Sequence, residues 1–510
     1  MMLPLSIVLC LLFLPVFLSA SPSLRRGLNI NCGAKNVENI GGIQWIADDR
    51  FTKVGNTSDL DNPDLVPKLS SLRYFPDESA RKYCFAIPAA KGAKYLIRTF
   101  YFYGGFDGGE EPPVFDQILG GTKWSTVNTS ESYANGLANY YEIVTVSPRK
   151  TLSVCLARNE HTTSSPFISA IEVEHLEASM YNSTDFAMFA LSTVARHRFG
   201  FDGQITGYPD DAFNRYWEPF TDANPVVESR SNASSLELWN RPPEMAFRRA
   251  LTTSRGKDLV VRWPAMALPN ASYYLALYFQ DNRSPSPFSW RVFDVLVNGR
   301  TFYSGLNVST DGAVVYGDNW SLAGPTEIRM VPAVGSPVGP VINAGELLMV
   351  VPLGGRTLTR DVIAMEALAR SFGNPPSDWS GDPCLPQSNS WTGVTCSAGK
   401  FIRVVSLNLT NFGISGTLPS NIAKLTAISS LWLGGNKING PIPDMSSLKQ
   451  LVSLHLEDNQ FNGTIPPSLG NLPKLQELYL QNNNLQGPIP DSLKQRKGIV
   501  LQVSPGNHGF

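Results

Sequence analysis

Five histidines are scattered through the chain, and none stands in the His-Glu-x-x-His spacing that would hold two imidazoles on one helix face around a metal. No Gly-x-Ser-x-Gly elbow presents a nucleophile, and no glycine loop has phosphate-binding spacing. Carboxylates crowd at Asp107-Gly-Gly-Glu110-Glu111 and at Asp210-Asp211, but no spacing sets either group on opposite sides of a substrate. Solvated turns are the expected reading of both. No Cys-x-x-Cys or Cys/His cluster has zinc spacing. The expectation is a protein that is not an enzyme and holds no metal or cofactor, so the residues of interest are those that bind.

Aromatic side chains supply two candidate binding sets. Leu407-x-Leu409, Leu431-x-Leu433, Leu454-x-Leu456 and Leu478-x-Leu480 recur about every 23 residues, each followed by a Gly and then Leu-Pro or Ile-Pro, which is the period of a leucine-rich solenoid. Between the leucines of each pair lies one outward residue, and these read Asn408, Trp432, His455 and Tyr479. Neighbouring strands lie about 4.8 Å apart, so Trp432, His455 and Tyr479 are expected to form an aromatic column, flanked by Glu457, Asp458 and Glu477. Exposed Trp and Tyr commonly anchor protein interfaces, which makes this the candidate partner-binding set. The second set, Tyr101, Tyr103 and Phe106, has the chemistry to stack on a sugar face, although aromatics on a sandwich strand are more often core.

The elements that must position these residues follow from local pattern. Short runs rich in β-branched and aromatic residues, such as Tyr95-Leu-Ile-Arg-Thr-Phe-Tyr-Phe-Tyr103 and Glu142-Ile-Val-Thr-Val146, alternate with Gly, Pro, Asn and Asp over 27–200. That stretch reads as all-β, with a helical turn over 187–196 as the exception. The next stretch repeats it: Tyr95-Leu-Ile-Arg-Thr-Phe is answered by Tyr274-Leu-Ala-Leu-Tyr-Phe, Phe115-Asp-Gln-Ile-Leu-Gly by Phe293-Asp-Val-Leu-Val-Asn, and Pro166-Phe-Ile-Ser-Ala-Ile-Glu by Pro340-Val-Ile-Asn-Ala-Gly-Glu. Three pairs in one order at nearly one offset predict a duplicated sandwich, with lobes over 27–200 and 201–358.

Thr359 to Phe372 then has helical spacing at Val362, Met365, Ala369 and Phe372, and Gly373, Pro375 and Pro376 end it. A solenoid leaves its first rung open to water, and Cys384 and Cys396, a dozen residues apart and accompanied by Trp379 and Trp391, suit a terminal cap closed by a disulfide. The segment 359–400 is read as linker helix and cap, 401–500 as about four repeats and 501–510 as a tail. Asn436, Asn459 and Asn483 occupy the position whose buried amide satisfies the turning backbone, and Phe412 replaces it in the first repeat.

The apolar run over 1–20, broken by Pro4 and Pro15 and ending in small residues, reads as a signal peptide. Ten Asn-x-Ser/Thr acceptors, at Asn56, Asn128, Asn182, Asn232, Asn270, Asn282, Asn307, Asn319, Asn408 and Asn462, then argue for a glycoprotein. Cys32, Cys84 and Cys155 allow one more disulfide and one free thiol, and the sequence does not choose among them. A net charge of −1 supports neither a nucleic-acid binder nor a polybasic anchor.

The tandem resembles the malectin-like region of plant receptor proteins, and Tyr208-Pro-Asp-Asp-Ala-Phe-Asn-Arg-Tyr-Trp217 resembles the segment opening their second lobe. With the Trp-x-Gly-Asp-Pro-Cys cap and short repeat array, the order resembles the ectodomain of malectin-like leucine-rich-repeat receptor kinases, without their membrane helix or kinase. Malectin proper binds a glucose disaccharide through tyrosines, a phenylalanine and an aspartate. Its Tyr-Phe pair falls here on Gly105-Phe106 and Arg283-Ser284, and its aspartate on Ser164 and Val338, so the sugar constellation is mostly missing. The resemblance leaves a structural role for Asp210-Asp211.

The fold expected is therefore mainly β: tandem malectin-like sandwiches, then a short α/β solenoid. The function expected is recognition outside the cell, in the extracellular space or wall. Partners would be an extracellular protein or peptide, a receptor kinase among them, or a cell-wall carbohydrate, with no nucleic acid and no membrane span after leader cleavage. Two alternatives remain: a lectin acting through the first lobe, and an inhibitor of a secreted wall-degrading enzyme.

Overall fold

The computed structural model describes residues 27–109, 111–230 and 237–508. The expected leader over 1–20, Glu110 and the acceptor Asn232 lie outside the described residues. Among the described residues no helix is long and apolar enough to cross a membrane.

The duplication read from sequence is visible in the strand orders. Lobe 1 pairs Tyr83–Pro88, Thr151–Arg158, Val114–Leu119 and Thr122–Asn128 in one sheet, and lobe 2 repeats that order with Leu259–Arg262, Glu327–Pro332, Trp290–Val297 and Arg300–Ser309. The facing sheets are not separate. Leu28–Asn31, Ala170–Leu176, Lys94–Tyr101 and Asn139–Val146 of lobe 1 continue edge to edge into Phe189–Phe199, Ala344–Pro352, Leu268–Phe279 and Ala313–Gly324 of lobe 2. One eleven-stranded sheet thus joins the lobes, and each sandwich has its own core, around Ile97 and Phe115 in one and Leu275 and Phe293 in the other.

Two expectations are corrected here. The stretch 187–196 is helical only at its start, in a single turn closed by the Phe189 amide on Asp185 O at 2.9 Å: Phe189–Phe199 is a strand, paired with Asn139–Val146 on one side and Ala344–Pro352 on the other. Its Ala, Met and Leu content favours helix, but two flanking ladders outweigh intrinsic propensity. Because that strand is the counterpart of Leu28–Asn31, the second lobe begins before Phe189 and not after Gly200.

The central strands of the joined sheet are buried on both faces. In Lys94–Tyr101, Ile97 and Tyr101 enter the sandwich core, while Leu96 packs with Phe213 and Trp217 on the opposite side. The cover on that side includes the Tyr208 to Trp217 segment, and beneath it runs a row of charges. Glu172 pairs with Arg98, Arg98 with Glu142 at 2.6 Å, Glu142 with Arg196 at 2.6 Å, and Arg196 with Glu346 at 2.6 Å, all nearly inaccessible to solvent. Asp211 is not in a solvated turn either: it is buried, accepts from Trp217 Nε1 at 2.8 Å and pairs with Arg215 at 2.9 Å. Arg196 is the member that binds a lobe 1 carboxylate to a lobe 2 carboxylate.

The linker helix, Thr359–Ser371, is tied to the first repeat through buried Asp361, which accepts from Arg403 Nε at 2.9 Å and from the Val404 amide at 3.0 Å. Cys384 and Cys396 are joined, and Trp379 and Trp391 stack beside them with centroids 5.3 Å apart. The cap also seats on lobe 1. Lys82, fully covered, donates from Nζ to the carbonyls of Asp382 at 2.6 Å and Leu385 at 2.7 Å. The Cys84–Cys155 disulfide lies against Gly381, where an added Cβ would stand 2.9 Å from Cys84 Sγ. Gly381 also has φ +75°, so the cap needs glycine there for both space and conformation. Cys32 stays a buried free thiol, pushed up by burial.

The solenoid follows with one correction. Asn436 donates to Leu409 O at 2.7 Å and accepts from the Ile414 amide at 2.9 Å, and Asn459 and Asn483 repeat the pattern. Asn507 does the same, donating to Leu480 O at 2.7 Å and accepting from the Leu485 amide at 2.9 Å, while Val500–Gln502 pairs with Glu477–Tyr479. The stretch expected as a tail is thus a fifth rung. Phe412 turns into solvent, 49% exposed.

Candidate functional site

The parallel strands Val404–Asn408, Ser430–Trp432, Ser453–His455, Glu477–Tyr479 and Val500–Gln502 form the concave ladder. Register places Asn408, Trp432, His455, Tyr479 and Gln502 side by side, because residues in register on a parallel ladder share one face. Leu431, Leu454 and Leu478 point the other way into the core. The outward set carries no packing duty inside the solenoid.

The three rings touch. Trp432 and His455 have centroids 5.4 Å apart, and His455 and Tyr479 are 4.5 Å apart and edge to face. Trp432 is 36% exposed, and its Nε1 donates to Ser453 Oγ at 2.8 Å, which holds the indole in place. Ser453 in turn donates to Glu477 at 3.0 Å. The His455 ring nitrogens stand 3.7 Å from Glu457 and 3.4 Å from Glu477. Asp458 is exposed and accepts from Asn482 Nδ2 at 2.6 Å. Rings held in contact by neighbours have already lost rotamer freedom, so they can bind with little further ordering cost. What the arrangement can do chemically is adsorb an apolar or cationic side chain.

The candidate sugar set is corrected. Tyr101 is wholly buried, its hydroxyl donating to Gln117 at 2.8 Å, and Tyr103 is 2% exposed with its hydroxyl on Asp107. Burial, then Asp107, pushes the Tyr103 phenol above its usual range. Phe106 packs among Tyr74, Tyr103 and Phe167. The two buried tyrosines cannot offer a face to a sugar, and Phe106, half-buried, is left without them. Glucose disaccharides are therefore expected to bind lobe 1 weakly or not at all; calorimetry on the full chain checks this, and micromolar affinity lost on Tyr103→Ala or Phe106→Ala would contradict it.

The acceptors Asn56, Asn128, Asn182, Asn270, Asn307, Asn319, Asn408 and Asn462 are exposed. Asn282 is half-buried, accepting from Arg291 at 2.8 Å. Asn408 stands on the first rung of the column. Sequence reasoning missed the docking of the cap on lobe 1, for which the only signal was Gly381 inside the Trp-x-Gly-Asp-Pro-Cys run.

Comparison with known proteins agrees with this architecture. Residues 30–350 match the malectin-like domain, 358–397 the leucine-rich-repeat N-terminal domain, and 450–472 and 474–495 the leucine-rich repeat. The probable LRR receptor-like serine/threonine-protein kinase At1g67720 of Arabidopsis thaliana is 30% identical over 493 residues, covering 87% of this chain and 49% of the kinase. The chain spans about half the length of the curated relatives it matches. The ANXUR1 extracellular domain from Arabidopsis thaliana superposes with TM-score 0.53 at 16% identity, over 64% of this chain and 97% of that one. A chain of the complex of plant peptide RALF23 with FER and LLG2 gives 0.51 at 17%, over 64% and 96%. The duplicated sandwich, the disulfide-closed cap and the repeats all meet in these matches, and the chain belongs to the malectin-like domain family, in the form that carries leucine-rich repeats.

Proposed function

We propose that this chain is a secreted, glycosylated, non-enzymatic recognition protein of the cell surface, and that it binds an extracellular protein or peptide on the concave face of its repeats. The observation that carries the reading is the contiguous stack Trp432, His455, Tyr479, outward on a ladder whose inward residues alone hold the core. The relatives support it by their architecture: At1g67720 is a probable receptor-like kinase, and FER, which shares the lobe fold, is known in a complex with the peptide RALF23 and with LLG2. In this reading the lobes and cap act as a rigid mount, and a glycan on Asn408 confines the partner to the later rungs.

The test is affinity capture from a plant cell-surface extract with the full chain and with its Trp432→Ala/Tyr479→Ala variant, run beside a glycan array. A partner held by the native chain should be weakened by at least about 2 kcal/mol in the variant, because a few central aromatics dominate most interfaces. Melting should stay within about 0.5 kcal/mol of native, since outward residues hold no core. Gln495→Ala, exposed and off the column, should change neither. Binding unchanged in the double variant, or glycans bound through lobe 1, would overturn the proposal.

A further inference from the structure

We infer that the concave face recognises an arginine side chain of its peptide or protein partner; this rests on the concave face being the binding face, as proposed above. The chemistry of the face is one-sided. Among the described residues, no outward position of the five ladder strands holds Lys or Arg, whereas Glu477 stands on the ladder and Glu457 and Asp458 follow just beyond it.

The face also has more acceptors than donors. Glu457 and Glu477 bracket His455 from two rungs, and the donors beside them, the imidazole and the Ser453 hydroxyl on Glu477, leave Glu457 Oε2 unpaired among the described residues. Glu457 Oε2 and Gln481 Oε1, on adjacent rungs, are covered from solvent and have no hydrogen-bond partner among the described residues, so a donor reaching them has to displace the side chains that cover them. Glu457 folds over Gly434, where an added Cβ would stand 2.4 Å from Glu457 Oε1, so a side chain at that rung would push the carboxylate aside. A group that completes this site must bring several N–H donors, a positive charge and a flat face for the indole and phenol.

A guanidinium has all three: five donors in a planar fork, a permanent charge, and a surface that stacks on aromatic rings. An ammonium has the charge but is a compact, strongly hydrated point with no flat face, so it matches two carboxylates and a pair of rings less well than the planar fork does. The rings and the carboxylates thus converge on one ligand class from independent directions. Charge complementarity commits the surface to a basic segment over an acidic or purely apolar one.

The experiment uses the intact chain on four pools of synthetic peptides, random in sequence except for a central arginine, lysine, citrulline or glutamate. Citrulline keeps the shape and removes the charge. The arginine pool is expected to bind at least tenfold better than each other pool. Its binding should fall at least tenfold in Glu457→Gln/Glu477→Gln and in Trp432→Ala/Tyr479→Ala, and should weaken as salt is raised. Thermal melting of each variant shows that the loss is not unfolding. Equal binding of the lysine or citrulline pool, or none by the arginine pool, overturns the arginine assignment. If peptides of another class bind and are lost only with Trp432 and Tyr479, that assignment falls while the concave face stands; if the bound peptides ignore both variants, the face itself falls.

Discussion

Replacing Arg196 by methionine is expected to cost about 3–5 kcal/mol of stability, the usual penalty for leaving a buried charge uncompensated. Arg196 binds Glu142 and Glu346 at 2.6 Å each from a site with 1% of its side chain exposed, and those carboxylates belong to different lobes. Without it Glu142 rests on Arg98, which already serves Glu172. The native row should also show in acid. Burial alone would raise the Glu142 carboxyl, but Arg196 and Arg98 overcome it and hold it at about 2, against an ordinary 4.5. A folded value below the unfolded one gives stability that is complete above pH 4.5 and is lost as pH falls towards 2. Urea denaturation of both forms across pH 2 to 7 checks this: the native protein should weaken steeply below about pH 4.5, and the variant should start lower and respond less. A loss under about 1 kcal/mol would mean that water reaches the row.

Cys384→Ser should destabilise the solenoid by about 2–5 kcal/mol, the usual cost of removing a native disulfide from a small domain. The bond closes a 12-residue separation at the open end of the repeats, and the stacked tryptophans beside it are 7% and 1% exposed. Losing the closure exposes those indoles, the first rung and the seat on Lys82 together. Calorimetry should show the repeat transition moving to lower temperature, and peptide mapping without reductant should recover Cys384 linked to Cys396 and Cys84 linked to Cys155. Both cap cysteines recovered as free thiols would contradict the closure.

What was legible in the sequence follows from how local each signal is. The Leu-x-Leu period and the asparagine positions fixed the ladder, and from it the neighbours Trp432, His455 and Tyr479, because register in a solenoid is set by the repeat itself. The paired segments around Tyr95 and Tyr274 exposed the duplication for the same reason. The strand Phe189–Phe199 was not legible: its Ala, Leu and Arg content suits a helix, and only ladders to strands distant in sequence make it a strand. The charge row was equally hidden, since Arg98, Glu142, Arg196 and Glu346 look like ordinary outward positions of half-exposed strands until the segment around Asp211 and Arg215 covers them. The fifth rung was missed because Gln502 and the prolines and glycines after it read as a polar end, although Leu501 and Asn507 keep the period. Tyr101 and Tyr103 show the converse limit: a ring fit to stack on sugar is equally fit for a core, and only burial decides.

The central claim is that partners meet the aromatic column and not the aromatic set around Tyr103 in lobe 1. Hydroxyl-radical footprinting of the full chain, with and without the partner recovered by capture, reads both places at once, because Trp432 on the column and Tyr133, whose ring packs on that of Tyr103 with centroids 4.8 Å apart, are similarly exposed at 36% and 38%. The account predicts that oxidation of Trp432, His455 and Tyr479 falls on binding while that of Tyr133 is unchanged. Protection of Tyr133, with Trp432 and Tyr479 oxidised as before, would contradict it.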